Sequence, residues 1–333
     1  MTYRAMQISQ PGKLELVERQ VPTPSFGEVI IKVEACGICG ADIFNIDGIA
    51  PNQSPPRIPG HEVVGRIISR GQGVSNNWQV GQKVGVGRLG GPCLACDSCR
   101  AGHFQQCSDQ PVVGSSMDGG YAEMMRVRSS GLVSMPESLS SVEAAPMLCA
   151  GIATFNALKK CGAEPCDTVA NLGIGGLGHM AIQYAQRMGY RVLAIGIEGD
   201  VLSLGAHHYI DTNDESITEV CAKLEPIQVL IATINHPDLT SQLTNILAPK
   251  GQVMILGVGA KPLVFRSGAL VDGETQILGS ITGTPFENEK ALKFSVLTDI
   301  RPRIETMPFE QANEAFQKMK SGDVNFRMVL TMK

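Results

Sequence analysis

Apolar and polar residues alternate differently in the two parts of the chain. Over roughly the first 145 residues, short apolar runs are interrupted by glycine and proline, as at 29–33 and 63–68. Runs of this length between turn-forming residues predict β-strands, and stretches with helical periodicity are few. We therefore predict a mostly β domain with long loops in the N-terminal part.

Helical periodicity begins near residue 141. Residues 142–160 and 177–188 show the helical spacing of apolar residues, and 168–172 form a buried strand pattern that ends at a glycine-rich turn. Further strands are predicted at 191–195, 229–232 and 252–256. Strands that alternate with helices along a chain predict a parallel, doubly wound sheet.

The last part of the chain returns to mixed structure, with a helix predicted at 309–321 and a strand at 326–331. This part is too short for a domain of its own. We expect an α/β protein with a mostly β domain at 1–150, a Rossmann doubly wound domain at 151–285, and a C-terminal segment at 286–333 that packs back on the first domain.

The composition excludes several classes of function. Of 333 residues, 43% are apolar, and the net charge is −4 without a long basic run, so nothing indicates a nucleic acid or a membrane as partner. The first residues lack the layout of a secretory signal, and no uninterrupted apolar run of about 18 residues occurs. We expect a cytoplasmic protein, in which ten cysteines indicate metal binding more than disulfides.

Four of the cysteines lie within fifteen residues, in a C-x2-C-x2-C-x7-C run formed by Cys93, Cys96, Cys99 and Cys107. Four thiolates can surround one tetrahedral ion and leave no ligand position open, which is the chemistry of a structural zinc site. The alternatives are an iron–sulfur cluster and free thiols. The ferredoxin spacing is not met, because the last gap is too long and no proline follows.

A second group of candidate metal ligands is dispersed along the chain. Cys39 follows a predicted strand, His61 and Glu62 precede another, and Cys149 lies far downstream. Taken singly, Cys149 is more often a core residue and His61 more often a hydrogen-bonded structural histidine. Their spacing alone does not join them into one site.

A glycine-rich turn follows the strand pattern at 168–172. Gly173, Gly175, Gly176, Leu177 and Gly178 lie in a G-x-G-x-x-G motif that opens the helix predicted at 177–188. The motif alone is common by chance, but a strand before it and a helix after it are what a dinucleotide site requires. Glycines permit a close approach of the pyrophosphate, and the helix N-terminus stabilises the phosphates.

The sequence indicates the choice of dinucleotide only weakly. The second strand ends at Gly196, where an acidic residue normally binds the ribose 2′-hydroxyl. Glu198 follows and is the candidate for that role, with an exposed loop carboxylate as the alternative. No arginine or lysine lies between Val192 and Ala222 to receive a 2′-phosphate. This favours NAD, and NADP stays open.

The surrounding motifs resemble those of the zinc-containing medium-chain alcohol dehydrogenases, in particular the microbial aldehyde and primary-alcohol branch. The resemblance covers essentially the whole chain and follows the family's order. The stretches that carry it are CGICGAD, GHEVVG, GRLGGPCLACDSCRAGHFQQC, DGGYAE, APMLCAG and GIGGLGH.

The resemblance implies a GroES-like fold for the first domain and two zinc ions per chain. It implies that Cys39, His61 and Cys149 hold a catalytic zinc, that Glu62 lies beside it and exchanges with water, and that Asp42 is the partner of His61. It also implies assembly as a homodimer or homotetramer.

Three positions depart from the family pattern. Ala41 replaces the usual threonine or serine whose hydroxyl carries the alcohol proton away, and Phe44 replaces a histidine that ends this relay. Ala153 replaces a threonine against the nicotinamide, and Thr154 is the candidate substitute.

The expected function is reversible hydride transfer between NAD or NADP and a small alcohol or carbonyl compound, with zinc as a Lewis acid. Because the relay is altered, we expect carbonyl reduction to be favoured. The alternatives are reduction of a conjugated C=C or C=N bond, and a non-catalytic cofactor-binding protein.

Overall fold

The computed structural model describes residues 1–49, 55–197, 201–213, 216–221 and 223–332. The chain divides into two compact units. The first comprises Met1–Ile152 together with Gly283–Lys333, and the second comprises Ala153–Thr282.

The strands are numbered in chain order. They are β1 (Thr2–Gln10), β2 (Lys13–Gln20), β3 (Glu28–Ile38), β4 (Val63–Arg70), β5 (Lys83–Val86), β6 (Met124–Arg128), β7 (Leu132–Ser134), β8 (Thr168–Leu172), β9 (Arg191–Gly196), β10 (His208–Asp211), β11 (Ile227–Ala232), β12 (Leu247–Ile255), β13 (Gln276–Gly279), β14 (Ile304–Pro308) and β15 (Arg327–Thr331).

The α-helices are numbered in the same way. They are α1 (Ala41–Ile46), α2 (Asp97–Arg100), α3 (Ser141–Pro146), α4 (Ile152–Lys160), α5 (Gly178–Arg187), α6 (Ile217–Cys221), α7 (Pro237–Thr244), α8 (Ser267–Gly273), α9 (Pro285–Thr298) and α10 (Ala312–Ser321). A π-helical turn, Met147–Gly151, connects α3 to α4.

The first unit is built on an extended sheet whose strands follow the order β14-β15-β3-β4-β5-β7, with β6 also paired to β3. The hairpin of β1 and β2 lies beside it. Alternate residues of these strands point into one core that includes Ile31, Val63 and Phe316. The C-terminal strand β15 pairs with β3, so the end of the chain completes the sheet that the N-terminal part begins.

The second unit contains a parallel sheet in the order β10-β9-β8-β11-β12-β13. Its central strand β8 is buried at every position, as expected for a strand covered on both faces. The parallel, doubly wound sheet predicted from the alternation of strands and helices is confirmed. The strand predicted at 168–172 has the observed bounds of β8.

Side-chain caps define the starts of two helices in the first unit. Ser140 precedes α3 and forms a capping box with Glu143. Thr284 precedes α9 and forms another with Glu287, and Pro285 occupies the first helical position. These residues satisfy backbone N–H groups that the first turn of a helix leaves unpaired.

One helical run among the described residues is long and apolar enough to cross a membrane, judged by length and composition only. It is Ser141–Lys160, and 78% of its apolar window is buried inside the protein. A buried core helix passes the same test, so this run is weak evidence for a membrane span.

Candidate active site

Three strand ends meet at one edge of the sheet in the first unit. Cys39 follows the end of β3, His61 and Glu62 immediately precede β4, and Arg327 begins β15. The antiparallel registers place Val63 opposite Cys36 and Met328 opposite Ile38. Strand pairing therefore brings these segments together although they are distant in the sequence.

Cys149 belongs to a helical segment, and its thiol lies close to that of Cys39. It lies in the π-helical turn between α3 and α4, and its Sγ lies 3.8 Å from Sγ of Cys39. A π-helical turn inserts an extra residue into a helix, and such turns are frequent at functional sites. The wider turn directs the Cys149 thiol toward the ends of β3 and β4.

Cys39, His61, Glu62 and Cys149 form one cluster of candidate ligands. One ligand atom from each lies within 4.8 Å of the others, and His61 and Glu62 are fully buried. Nε2 of His61 and Oε2 of Glu62 have no hydrogen-bond partner among the described residues. Buried polar atoms are rarely left unpaired, and two thiols, an imidazole nitrogen and a carboxylate oxygen match the donors that zinc prefers. The residues present therefore fit a zinc ion.

Asp42 holds the histidine in the orientation that such a site needs. Its Oδ1 lies 3.0 Å from Nδ1 of His61, and its Oδ2 accepts hydrogen bonds from the Cys39 backbone N–H at 3.0 Å and the Tyr121 hydroxyl at 3.1 Å. A carboxylate at Nδ1 keeps the proton on that nitrogen and leaves Nε2 available as a ligand.

Arg327 and Gly37 are functional candidates that sequence reasoning missed. The guanidinium of Arg327 forms a buried ion pair with Oε1 of Glu62. A Cβ atom at position 37 would lie 1.9 Å from Oε2 of Glu62, so only glycine leaves room for this carboxylate. The arginine lies 265 residues from its partner, and no local pattern indicates the contact.

The ion pair also balances charge inside the cluster. With Arg327 opposite Glu62, the two cysteines as thiolates and the buried Asp42 carboxylate leave about three negative charges around a neutral imidazole. Buried charges need a partner, and a divalent cation neutralises the thiolates. The charge balance supports the same conclusion as the unpaired atoms.

The protonation of the metal-free cluster follows from its burial and its charges. Burial lowers the pKa of His61, but Asp42 and Cys39 together outweigh this and raise it to about 10. Burial raises the pKa of Glu62 to about 7, against the opposing charge of Arg327. The hydrogen bond between the thiols lowers the pKa of Cys39 and raises that of Cys149. Metal uptake must therefore displace protons.

The four-cysteine segment folds into a compact lobe of the first unit. The four Sγ atoms of Cys93, Cys96, Cys99 and Cys107 all lie within 4.8 Å of one another. The backbone N–H groups of Ala95 and Cys96 donate to Sγ of Cys93 at 3.5 and 3.4 Å. These bonds orient the first thiol toward the centre, and the closed set of four thiols fits a structural zinc ion.

Backbone hydrogen bonds also adjust the acidity of the lobe thiols. The N–H of Cys99 lowers the pKa of Cys96 to about 6, which favours a thiolate at neutral pH. Arg128 on β6 anchors the lobe, because it donates to the carbonyl oxygens of Gly91 at 3.2 Å and Asp109 at 2.8 Å.

The glycine-rich turn of the second unit connects β8 to α5. Gly173 has φ of +93°, and a Cβ at Gly178 would lie 2.0 Å from the carbonyl oxygen of Gly173. Gly175 is exposed and a Cβ there would meet nothing within 4 Å. Gly176 and Leu177 complete the turn, and α5 begins at Gly178. A tight turn, an open backbone and a helix N-terminus fit the pyrophosphate of a dinucleotide.

The remaining predicted cofactor residues have different outcomes. Gly196 is the last residue of β9 and is buried. Glu198 lies outside the described residues. Thr154 is fully buried in α4, and its role toward the nicotinamide stays a prediction.

Comparison with protein families identifies both units. A model described as the alcohol dehydrogenase GroES-like domain matches residues 25–137, and one described as zinc-binding dehydrogenase matches residues 176–296. These matches confirm the GroES-like fold predicted for the first domain.

Individual relatives match the chain along almost its full length. An alcohol dehydrogenase of Penicillium expansum is 35% identical, with 99% of this chain and 98% of the relative covered. An aldehyde reductase of Synechocystis sp. is 34% identical, with the same coverage of both chains. The structure of a cinnamyl alcohol dehydrogenase from Sorghum bicolor superposes with a TM-score of 0.90 at 28% identity, covering 99% of this chain and 98% of that one.

Proposed function

Because the chain belongs to the zinc-containing medium-chain alcohol dehydrogenase family, we propose that it holds two zinc ions. We propose further that it transfers a hydride between NAD or NADP and a small alcohol, aldehyde or ketone. The relatives named as alcohol dehydrogenase and aldehyde reductase support this substrate class.

The observation that carries this proposal is the buried cluster at the ends of β3 and β4. It joins the thiols of Cys39 and Cys149 with Nε2 of His61, and no group in the described part of the chain forms a hydrogen bond with this nitrogen. Two cysteines and one histidine are the ligand set of catalytic zinc in alcohol dehydrogenases, with a fourth position for water or substrate. The lobe thiols would hold the second, structural ion.

Each protein group has a defined task in this scheme. Bound zinc would supply a Lewis acid that polarises the substrate oxygen, and the nicotinamide would supply or accept the hydride. Asp42 keeps the proton on Nδ1 of His61, and Arg327 neutralises the Glu62 carboxylate. Leaving Glu62 unpaired would place an uncompensated charge in a buried site.

The start of α1 supports carbonyl reduction as the favoured direction. Ala41 is the first residue of this helix, and Phe44 lies one turn further on. Neither side chain can accept a proton, so an alcohol has no hydroxyl or imidazole at these positions to receive its proton before hydride transfer. A carbonyl substrate has no proton to lose before hydride transfer, and the product oxygen then takes its proton from water, because Ala41 and Phe44 cannot donate one.

Cinnamaldehyde tests the reaction class. With NADH or NADPH, the purified protein is expected to convert it to cinnamyl alcohol, because a Lewis acid at the oxygen directs hydride to the carbonyl carbon. The product is identified by chromatography. The saturated aldehyde would indicate reduction of the conjugated C=C bond instead. Stable NADH binding without turnover on any carbonyl compound would favour a non-catalytic cofactor-binding protein.

A pair of variants tests the altered relay. Ala41→Thr is expected to raise the rate of alcohol oxidation at pH 7 by up to about 10²-fold, the lower range for an acid–base group in catalysis. Valine has nearly the same shape as threonine but lacks the hydroxyl. The rate of alcohol oxidation by the Ala41→Val variant should therefore stay near that of the unmodified protein. Steady-state kinetics with cinnamyl alcohol provide the measurement. Equal rates in the two variants would show that the hydroxyl at position 41 does not limit oxidation.

We also propose that the protein assembles as a homodimer or homotetramer. In the sheet of the second unit, β13 lies at one edge and Leu278 is 36% exposed. Ile281, just beyond this strand, is 51% exposed. An unpaired strand edge with exposed apolar side chains favours pairing with another chain.

A further inference from the structure

The strand that normally provides the ribose-binding carboxylate ends here in a glycine. Counted from β8, the sheet order is that of a dinucleotide-binding doubly wound sheet, and β9 is its second strand. A Cβ at Gly196 would lie 2.9 Å from Cδ1 of Ile174, a buried residue of the glycine-rich turn. Ile174 therefore occupies the space into which a side chain at position 196 would extend.

A carboxylate stands directly beside this glycine on the neighbouring strand. β10 runs parallel to β9, and their register places Asp211 opposite Gly196. The backbone N–H of Thr212 donates to the carbonyl oxygen of Gly196 at 3.1 Å, so the pairing continues to the end of both strands. Asp211 thus lies at the carboxyl ends of the strands, one strand away from the end of β9, where the ribose-binding carboxylate normally lies.

Two local hydrogen bonds hold the Asp211 carboxylate. Its Oδ1 accepts from the backbone N–H of Asn213 at 2.9 Å, and its Oδ2 lies 3.3 Å from the Tyr209 hydroxyl. This hydroxyl also lies 3.2 Å from the carbonyl oxygen of Gly196, and it donates its single proton to one acceptor at a time. Both carboxylate oxygens keep lone pairs for a further donor.

The charges around this carboxylate oppose a phosphate. No lysine or arginine occurs in the sequence between Val192 and Ala222. A 2′-phosphate placed beside Asp211 would meet a like charge without a cation from this stretch, whereas a 2′-hydroxyl can donate a hydrogen bond to the carboxylate.

We propose that Asp211, positioned by Tyr209, replaces the missing carboxylate of β9, recognises the ribose 2′-hydroxyl and selects NAD(H) over NADP(H). This inference rests on the proposed function, since it requires a dinucleotide at the turn between β8 and α5. The proposal assigns the choice between NAD and NADP to Asp211 on β10 and not to Glu198.

Calorimetric titration of the full-length, zinc-loaded protein tests the assignment through binding and not through turnover. The ligands are NADH, NADPH, ADP-ribose and 2′-phospho-ADP-ribose, and the last two lack the nicotinamide ring. The unmodified protein should bind NADH at least about tenfold more tightly than NADPH, and Asp211→Asn should reduce this ratio by about tenfold, the effect of losing one charge-assisted contact.

Two further variants make the outcome specific. Tyr209→Phe keeps the carboxylate but removes one hydrogen bond, so the preference should fall by a smaller factor, about two- to fivefold. Glu198→Gln is the comparison variant, because it removes the carboxylate that the sequence offers for the ribose, and the preference should stay unchanged. Thermal unfolding of each variant establishes that it is folded.

The assignment is overturned if Asp211→Asn keeps the preference of the unmodified protein, if Glu198→Gln removes it, or if the unmodified protein binds both dinucleotides equally. A protein that binds neither dinucleotide would contradict the proposed cofactor chemistry itself, together with this role. If the unmodified protein binds either dinucleotide, the proposed cofactor chemistry stands, and only the role of Asp211 is then in question.

Discussion

Replacing Cys39 by serine is expected to remove one of two zinc ions per chain and to lower the rate of cinnamaldehyde reduction about 10³-fold. A Lewis acid at the substrate oxygen contributes several kcal/mol to the transition state, and each 1.36 kcal/mol is a factor of ten in rate. The thiol of Cys39 lies 3.8 Å from that of Cys149 inside the buried cluster, and no other described cysteine belongs to that cluster. Metal analysis by mass spectrometry and steady-state kinetics measure the two effects.

Two variants accompany this measurement. Cys166→Ser removes an exposed thiol outside both clusters and should retain two zinc ions and full activity. Asp42→Asn should lower the affinity for the catalytic zinc or the rate of reduction by about 10–100-fold, because its carboxylate orients His61 and is not one of the four candidate ligands. Full zinc content and activity in the Cys39→Ser protein would contradict the proposed catalytic site.

Replacing Cys99 by serine is expected to remove the other zinc ion and to lower the melting temperature by about 10 °C or more. Binding of a structural zinc contributes about 10–16 kcal/mol to folding in zinc-finger peptides. At about 2.1 cal/mol/K of unfolding entropy per residue, a shift of about 10 °C in a chain of 333 residues corresponds to a loss of about 7 kcal/mol. Cys99 is buried at the centre of the lobe, so its loss opens the set of four thiols. Thermal unfolding followed by circular dichroism, with zinc counted in parallel, provides the measurement.

The same variant should make the lobe a preferred site for proteolysis, because the segment between Cys93 and Cys107 depends on the ion for its turns. Ser98→Ala, a neighbouring change in α2, serves as control and should keep both the zinc and the melting temperature. If Cys99→Ser retained two zinc ions and an unchanged melting temperature, the lobe would not be a structural zinc site.

The periodicity of the sequence predicted the elements of the second unit well. The strand predicted at 168–172 is β8, and the helix predicted at 177–188 is α5, shortened by a residue at each end. A buried parallel strand is a continuous apolar run, and an amphipathic helix repeats every 3.6 residues. Both signals are local. The structure adds the strand β10, which the apolar pattern did not predict, and the order in which the strands pair.

The candidate metal centre of the first unit depended far more on context. Cys39 and Cys149 are 110 residues apart, and neither has a local signature that names its partner. Their grouping was predicted from resemblance to a family, and the structure brings them together at the ends of β3 and β4 with His61. Arg327, which pairs with Glu62 from β15, was not predicted at all.

Features whose parts lie close together along the chain could be predicted from the sequence alone. The four lobe thiols fall within fifteen residues, and the glycine-rich turn follows directly after β8, so chain connectivity alone brings the parts together. The contacts that strand pairing creates became visible only in the folded protein. The pairing of β15 with β3 places Arg327 beside Glu62, and the register of β10 places Asp211 beside Gly196. A shift of one residue in a register turns a side chain to the other face of the sheet, and packing across the whole unit selects the register.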